Sequence, residues 1–224
     1  MKSKVSVIIP YYNYADYINE AIESVRAQTF INWDIVICND CSSVQDTKFI
    51  NALCSSDERI TVIEHNSTLG ASAARNSAVS VATGEFILPL DADDTLCPDT
   101  IQCYLDAFEE GVKDFIYGYA QYFGTMTQIN EHQPFTLAKL KQHNIVPITT
   151  LFEKQMWADV GGFDTNLKAF EDWEFWLHAA LIGYRGFRIN QVTFNYRRKT
   201  NSLWEREQTD YSKYEEYIRN KHGI

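Results

Sequence analysis

Val5-Ser6-Val7-Ile8-Ile9-Pro10-Tyr11-Tyr12-Asn13 is a β-branched run closed by a proline and followed by a loop. Branched side chains suit a pleated surface, and proline ends the run because it brings no N–H to a strand ladder. Ala15, Ile18, Ala21, Ile22 and Val25 then recur at helical spacing. The order strand, loop, helix repeats at once. Ile35-Val36-Ile37 runs into the turn-rich Asn39-Asp40-Cys41-Ser42-Ser43, and Phe49, Ile50 and Leu53 mark the helix that follows. Ile60 to Ile63 is a third strand, and a polar loop from His65 to Gly70 leads into an alanine-rich helix from Ala71 to about Ala82. Phe86-Ile87-Leu88 is a fourth strand, ending at Pro89-Leu90-Asp91.

Strands alternating with helices through short loops predict an α/β fold: one mostly parallel, Rossmann-like sheet with helices on both faces. Ligands of such sheets bind at the carboxyl ends of the strands, so the loops at 10–13, 39–43, 65–70 and 91–94 should share one edge.

The second half is less regular. Pro98-Asp99 opens a helix to about Glu110, and Asp114 to Phe123 reads as one or two aromatic strands. Residues 124–147 read as a loop with a short helix anchored by Leu137, Leu140 and Ile145. Glu153 to Val160 is a helix capped by Gly161-Gly162, Glu171 to Ile182 is another ending at Gly183, and a charged helix starts near Arg206. The chain reads as a single domain, 1–224, with parts at 1–94, 95–205 and 206–224.

The 224 residues are 45% hydrophobic and 22% charged, the composition of a globular chain. Thirty acidic against twenty basic residues give a net charge of −10, which disfavours nucleic acid and anionic lipid as general partners. There is no apolar stretch of bilayer length and no signal-like start at Met1-Lys2-Ser3-Lys4, so a cytoplasmic protein is expected. Five scattered cysteines, Cys38, Cys41, Cys54, Cys97 and Cys103, suit reduced thiols. Cys38 and Cys41 have CxxC spacing, but no second pair accompanies them to make a zinc site.

Asp91-Ala92-Asp93-Asp94 follows a buried-looking strand. Three carboxylates there repel one another unless a cation or hydrogen-bond donors hold them, and magnesium or manganese takes such oxygen ligands together with substrate phosphates. The alternative is a polar turn in which Asp94 or Thr95 caps the helix near Pro98.

The segments 5–13 and 39–43, Gly70 through Ala74-Arg75-Asn76, 91–94, Gly161-Gly162-Phe163-Asp164 and Glu171-Asp172 together resemble the ordered signature of family 2 glycosyltransferases of the GT-A fold. The resemblance implies an inverting, non-processive enzyme. It would move one hexose from a nucleoside-diphosphate donor, with uridine diphosphate (UDP) as the nucleotide, to a saccharide or lipid-linked saccharide in surface glycan synthesis. The inner membrane face would be one place of work.

By that resemblance residues 1–94 form the donor half and 95–205 the acceptor half. Tyr12 matches the base-stacking position and Asp40 the acceptor for the base's ring N–H; Pro10, Asn13, Gly70, Arg75, Asp91 and Ala92 fall in the nucleotide-binding segments. Asp93 matches the metal-binding acid of the DxD motif, Mn2+ or Mg2+ being the ion. Asp172, with Glu171 beside it, matches the catalytic base. Each also has a plain structural reading: Tyr12 as a surface aromatic, Asp40 as an Asx turn, Arg75 as a salt-bridged helix residue and Glu171-Asp172 as acids at a helix start. Trp173 and Trp176 are candidates for an acceptor wall or for the core, Trp176 reading as core.

Three departures stand out. Lys199 replaces a histidine that many relatives carry after the Tyr196-Arg197-Arg198 segment, the 39–43 turn lacks the family's first acid and its glycine, and the processive QxxRW motif is absent. Two other functions fit the same fold: a nucleotidyltransferase, although no lysine- and glycine-rich phosphate loop follows the first strand, and a nucleotide-sugar-binding protein without turnover.

Overall fold

Strand β1 (Val5–Tyr11) lies between β2 (Trp33–Asn39) and β4 (Phe86–Pro89), and β3 (Ile60–Glu64) pairs with the far side of β2; all four run parallel. The computed structural model describes residues 3–109, 114–200 and 211–224. Tyr11 sits opposite Asn39 and Asn39 opposite Glu64, so the strand ends align and the loops after them share one edge, as the alternation predicts.

The strands are buried on both faces, hence their near-continuous apolar runs. Val5, Val7, Ile9 and Tyr11 point into one core with helices α1 (Ala15–Arg26), α2 (Val44–Cys54) and α4 (Thr100–Glu109). Ile8 points the other way, towards α3 (Ala71–Val81), α5 (Leu137–Leu140), α6 (Lys154–Val160), α7 (Glu171–Leu181) and α8 (Tyr211–His222). Within α1, Ile18, Ala21, Ile22 and Val25 are buried, as their spacing predicts. Ser43 caps α2 by accepting from Asp46 N–H at 3.1 Å.

Beyond β4 the sheet is mixed. β8 (Leu151–Glu153) runs antiparallel between β4 and β6 (Phe115–Gly124), and β9 (Gly186–Arg198) runs parallel to β6 and antiparallel to β5 (Thr95–Leu96). β7 (Gln128–Asn130) forms a hairpin with β6. The long β9 escapes the sequence reading because its alternation slips: Tyr117 faces Arg188, but Tyr119 faces Val192, so a bulge breaks the period of two. The residues expected to begin a helix at Arg206 lie outside the described residues up to 210, as does Glu110, the expected end of the helix after Pro98.

The C-terminal helix docks on α7. Glu174, fully buried, accepts from His222 Nε2 and Lys221 Nζ, both at 2.8 Å, and Lys221 also pairs with Asp164 at 2.7 Å. His178 lies one turn on from Glu174, its ring 5.1 Å from that of His222, but Lys221 already balances the buried charge. Among the described residues no helix is long and apolar enough to cross a membrane.

Candidate active site

Two glycine features shape the approach to the edge. Gly70, with φ of +93°, is the N-cap of α3 and begins the helix that carries Arg75. Gly162, at φ +85°, approaches α3 so closely that an added Cβ would lie 2.8 Å from Asn76 Oδ1. Asn76 clamps this corner, accepting from Phe163 N–H (2.8 Å) and Trp157 Nε1–H (2.9 Å) and donating to Phe163 O (2.8 Å). The Gly-Gly-Phe segment is therefore fastened to the helix of Arg75.

Arg75 is 4% exposed and reaches two acids at once: Nη2 donates to Asp91 Oδ1 at 2.7 Å and Nη1 to Glu171 Oε1 at 2.5 Å. Burial works against the guanidinium's charge, but Asp91 and Glu171 outweigh it and raise its pKa. One side chain thus ties the exit of β4 to the start of α7, and Asp172 is brought to the same edge as the 91–94 turn.

The start of α7 is unusual. Phe170, the N-cap, is left-handed at φ +61° and offers no side-chain cap, and its ring packs edge-on to Tyr211 of α8 at 5.0 Å. Asp172, half-buried, accepts from Asn144 Nδ2 and from Trp173 N–H, both at 2.8 Å. Burial, then the neighbouring Glu171, pushes its pKa up to about 7 against the pull of those two bonds and of Arg75. Trp173 does not line this site: it is fully buried with Nε1–H donating to Leu140 O at 2.6 Å, and Trp176 stacks on Phe115 in the core.

At the 91–94 turn each acid has its own partner. Asp94, 1% exposed, accepts from Arg197 N–H at 2.8 Å, and Arg197 Nε donates to Asp93 O at 2.9 Å, so β9 is pinned to the turn. The capping role considered for Asp94 is not what it does here. Asp93 Oδ2 lies 2.6 Å from Lys199 Nζ, which also touches Tyr14 OH at 3.1 Å. Burial, then Asp91, raises the pKa of Asp93, and Lys199 works against them. Ala92 is buried between the acids, and Pro10 at the end of β1 is half-buried.

On the other side of the edge Tyr12 is 47% exposed, an open ring face beside Asn13. Asn13, at φ +55°, holds the neighbouring loop: its Oδ1 accepts from Ser43 N–H (2.8 Å) and its N–H donates to Ser42 Oγ (3.0 Å). Asp40 is 4% exposed, with Oδ1 accepting from His65 Nδ1 (2.7 Å) and Leu69 N–H (2.9 Å) and Oδ2 from Gly70 N–H (2.8 Å). Three of a carboxylate's roughly four lone-pair sites are filled, so Asp40 first orders the 65–70 loop. His65 completes this link by contacting Ser77 Oγ of α3 at 2.8 Å.

Of the residues singled out from sequence, Arg75 meets Asp91 and Glu171 directly, Asp172 follows Glu171 at the start of α7, and Asp93 sits on the same turn as Asp91. Asn144 and Tyr14 escaped the sequence reading. Asn144 is an isolated amide in an irregular stretch with no pattern to mark it, whereas Tyr14 lies in the aromatic Tyr11-Tyr12-Asn13-Tyr14 run.

Comparison with known proteins bears on family and fold. The model of a family described as "Glycosyl transferase family 2" matches residues 6–164. TuaG of Bacillus subtilis (strain 168), a glycosyltransferase whose name assigns it provisionally to teichuronic acid biosynthesis, is 29% identical over 208 residues, covering 90% of this chain and 82% of its own. Among solved structures, residues 1–349 of S. aureus TarS in complex with UDP-GlcNAc superpose with a TM-score of 0.78 at 22% identity, over 90% of this chain. The mannosyltransferase PcManGT of Pyrobaculum calidifontis, in complex with GDP-Man and Mn2+, superposes with a TM-score of 0.71 at 18% identity, over 92% of this chain. The chain spans only 60% of the length of each of these two solved chains, and their likeness carries the GT-A-type fold. The family match spans well over half of the sequence, and the chain belongs to glycosyl transferase family 2.

Proposed function

We propose that this family 2 glycosyltransferase moves a single hexose from a nucleoside-diphosphate donor, with UDP as the nucleotide, to a saccharide or lipid-linked saccharide acceptor of a surface glycan, with inversion. The observation that carries the reading is the Asp91–Arg75–Glu171 bridge, which joins a nucleotide-side turn to the helix start bearing Asp172. The name of TuaG supports a surface polymer, and the ligand of TarS supports a UDP-sugar.

In this mechanism Tyr12 stacks on the nucleobase, and the remaining lone pair of Asp40 takes its ring N–H. Asp172 accepts the proton of the acceptor hydroxyl as that oxygen bonds to the anomeric carbon, while the bond from that carbon to the diphosphate oxygen breaks on the opposite face. A pKa near 7 suits a general base, strong enough to take the proton and largely ionised above neutrality. Asn144 and Trp173 N–H orient the carboxylate, and Arg75 is a positioning residue for Asp91 and Glu171.

The donor set near Asp93 is oxygen-rich and fits a hard divalent cation, which Asp93 would hold with help from Asp91; each of the two acids spends an oxygen on a cationic side chain. When bound, such an ion neutralises charge on the departing diphosphate.

The test is a panel of nucleotide sugars with simple saccharide acceptors, read by nucleoside-diphosphate release and by the anomeric configuration of the product. Asp172→Asn should bind UDP as wild type does and transfer nothing; normal transfer by that variant rejects Asp172 as the base. Pyrophosphate released from a nucleoside triphosphate and a sugar phosphate would point to the nucleotidyltransferase instead.

A further inference from the structure

Lys199 is held in place more firmly than a surface lysine. Its ammonium lies 2.6 Å from Asp93 Oδ2 and 3.1 Å from Tyr14 OH, and it faces two rings, 4.2 Å from the centroid of Tyr14 and 4.7 Å from that of Tyr17. Both partners of the ion pair are largely sheltered, with side-chain exposures of 23% and 17%. The backbone leading to it is fixed as well, because Arg197 bonds to both Asp94 and Asp93 O two residues earlier. A charge, a hydroxyl and two π faces converge on one cation, and the turn supplying the charge carries three carboxylates.

We propose that Lys199 is a resident cation of the 91–94 turn: it provides the positive charge at Asp93 that meets the donor's diphosphate, and a divalent ion binds Asp93 in competition with it. This rests on the nucleotide-sugar reading above. A lysine ammonium is a compact point charge with three donors, suited to phosphate oxygens. A Mg2+ ion sits about 2.0–2.1 Å from its oxygen ligands, so an ion on Asp93 would crowd the ammonium 2.6 Å from Oδ2, and the two positive charges would repel in a sheltered place. The protein should therefore bind a nucleoside diphosphate without metal, and its own affinity for metal should be low.

Two measurements on the whole protein test this. The first is Mn2+ binding without nucleotide, followed by electron paramagnetic resonance, for wild type, Lys199→Met and Lys199→His. Methionine keeps an unbranched stem over the tyrosine rings without the charge, and histidine offers a ligand. Both variants should bind Mn2+ at least about tenfold more tightly than wild type. The second is calorimetry with uridine, guanosine, cytidine and thymidine diphosphates in a chelating buffer. Wild type should bind one of them there, and Lys199→Met should lose about tenfold in affinity, the two compared at a temperature where both are folded.

Equal Mn2+ affinity in wild type and both variants overturns the proposal, and so does wild-type nucleotide binding that vanishes when metal is chelated; in either case the donor reading stands. No binding of any nucleoside diphosphate, with or without Mn2+, overturns the donor reading and this proposal with it.

Discussion

Arg75 and Glu171, 96 positions apart in the chain, are joined by a hydrogen bond of 2.5 Å at the edge of the sheet, with Arg75 almost entirely buried. Its second arm holds Asp91, so the helix that opens after Gly70 joins the two halves of the site. Replacing Arg75 by methionine keeps the volume and leaves two acids unpaired in a sheltered place. Breaking a buried ion pair from one side costs roughly 3 kcal/mol or more. Arg75→Met should therefore lower the unfolding free energy measured in urea by that order and reduce kcat for transfer more than a hundredfold. Arg75→Lys, unable to hold both acids with one planar fork, should recover much of the stability and little of the kcat. Wild-type kcat in Arg75→Met would remove the bridge from the mechanism.

The acidity of Asp172 gives a pH profile. With its pKa near 7 and activity requiring the ionised form, kcat/KM should rise about tenfold per pH unit below neutrality and level off above it. Asn144 donates to the carboxylate and favours its charged form, so Asn144→Leu should move the rise to higher pH. Stability runs in the opposite sense. Folding raises this pKa above its ordinary value, so the cost of keeping the group buried is absent below about 4, grows as pH rises from there to about 7 and is complete above it. Asp172→Asn should accordingly melt higher than wild type at pH 8 and close to it at pH 4. An unshifted profile for Asn144→Leu would show that another group sets the rise.

Much of the loop edge was legible because two periods are hard to confuse. The runs at Val5–Ile9 and Ile35–Ile37 and the spacing of Ile18, Ala21, Ile22 and Val25 place the strand ends, and parallel pairing brings 10–13, 39–43, 65–70 and 91–94 together. The second half was less legible for three physical reasons. The bulge between Arg188 and Val192 disrupts the alternation of β9, Asn144 stands in a stretch without periodicity, and helical spacing does not say which face of α7 meets the core. Trp173 was open to both readings for that last reason. Lys199 was visible as a departure from the family pattern, but its contact with Asp93 depends on β9 returning to the turn.

Tyr12 separates binding from folding. Nearly half of its surface is open, so removing the ring should leave the melting temperature within a degree or so of wild type. If it stacks on the base, Tyr12→Ala should weaken UDP binding about tenfold or more, since one such stack is worth roughly 1–3 kcal/mol. Tyr12→Phe should bind as wild type does. Calorimetry with UDP decides, and unchanged affinity in the alanine variant would make the residue a surface aromatic and nothing more.

Phe170 tests whether α8 supports the start of α7. A left-handed backbone costs a non-glycine residue of order 1 kcal/mol or more, and here the cost is offset by the ring's contacts with Tyr211 and Tyr214 at 5.0 and 5.8 Å. Phe170→Ala loses the ring and keeps the backbone cost; Phe170→Gly loses the ring and sheds the cost. The glycine variant should thus be the more stable of the two by about 1 kcal/mol in urea unfolding. Both should lower kcat, because Glu171 and Asp172 follow directly on a helix start that is no longer held, while UDP affinity, set at the other end of the edge, stays at the wild-type value. If the alanine variant proved as stable as the glycine one, the backbone would have another conformation open to it, and the tyrosines of α8 would not be what holds Phe170 in place.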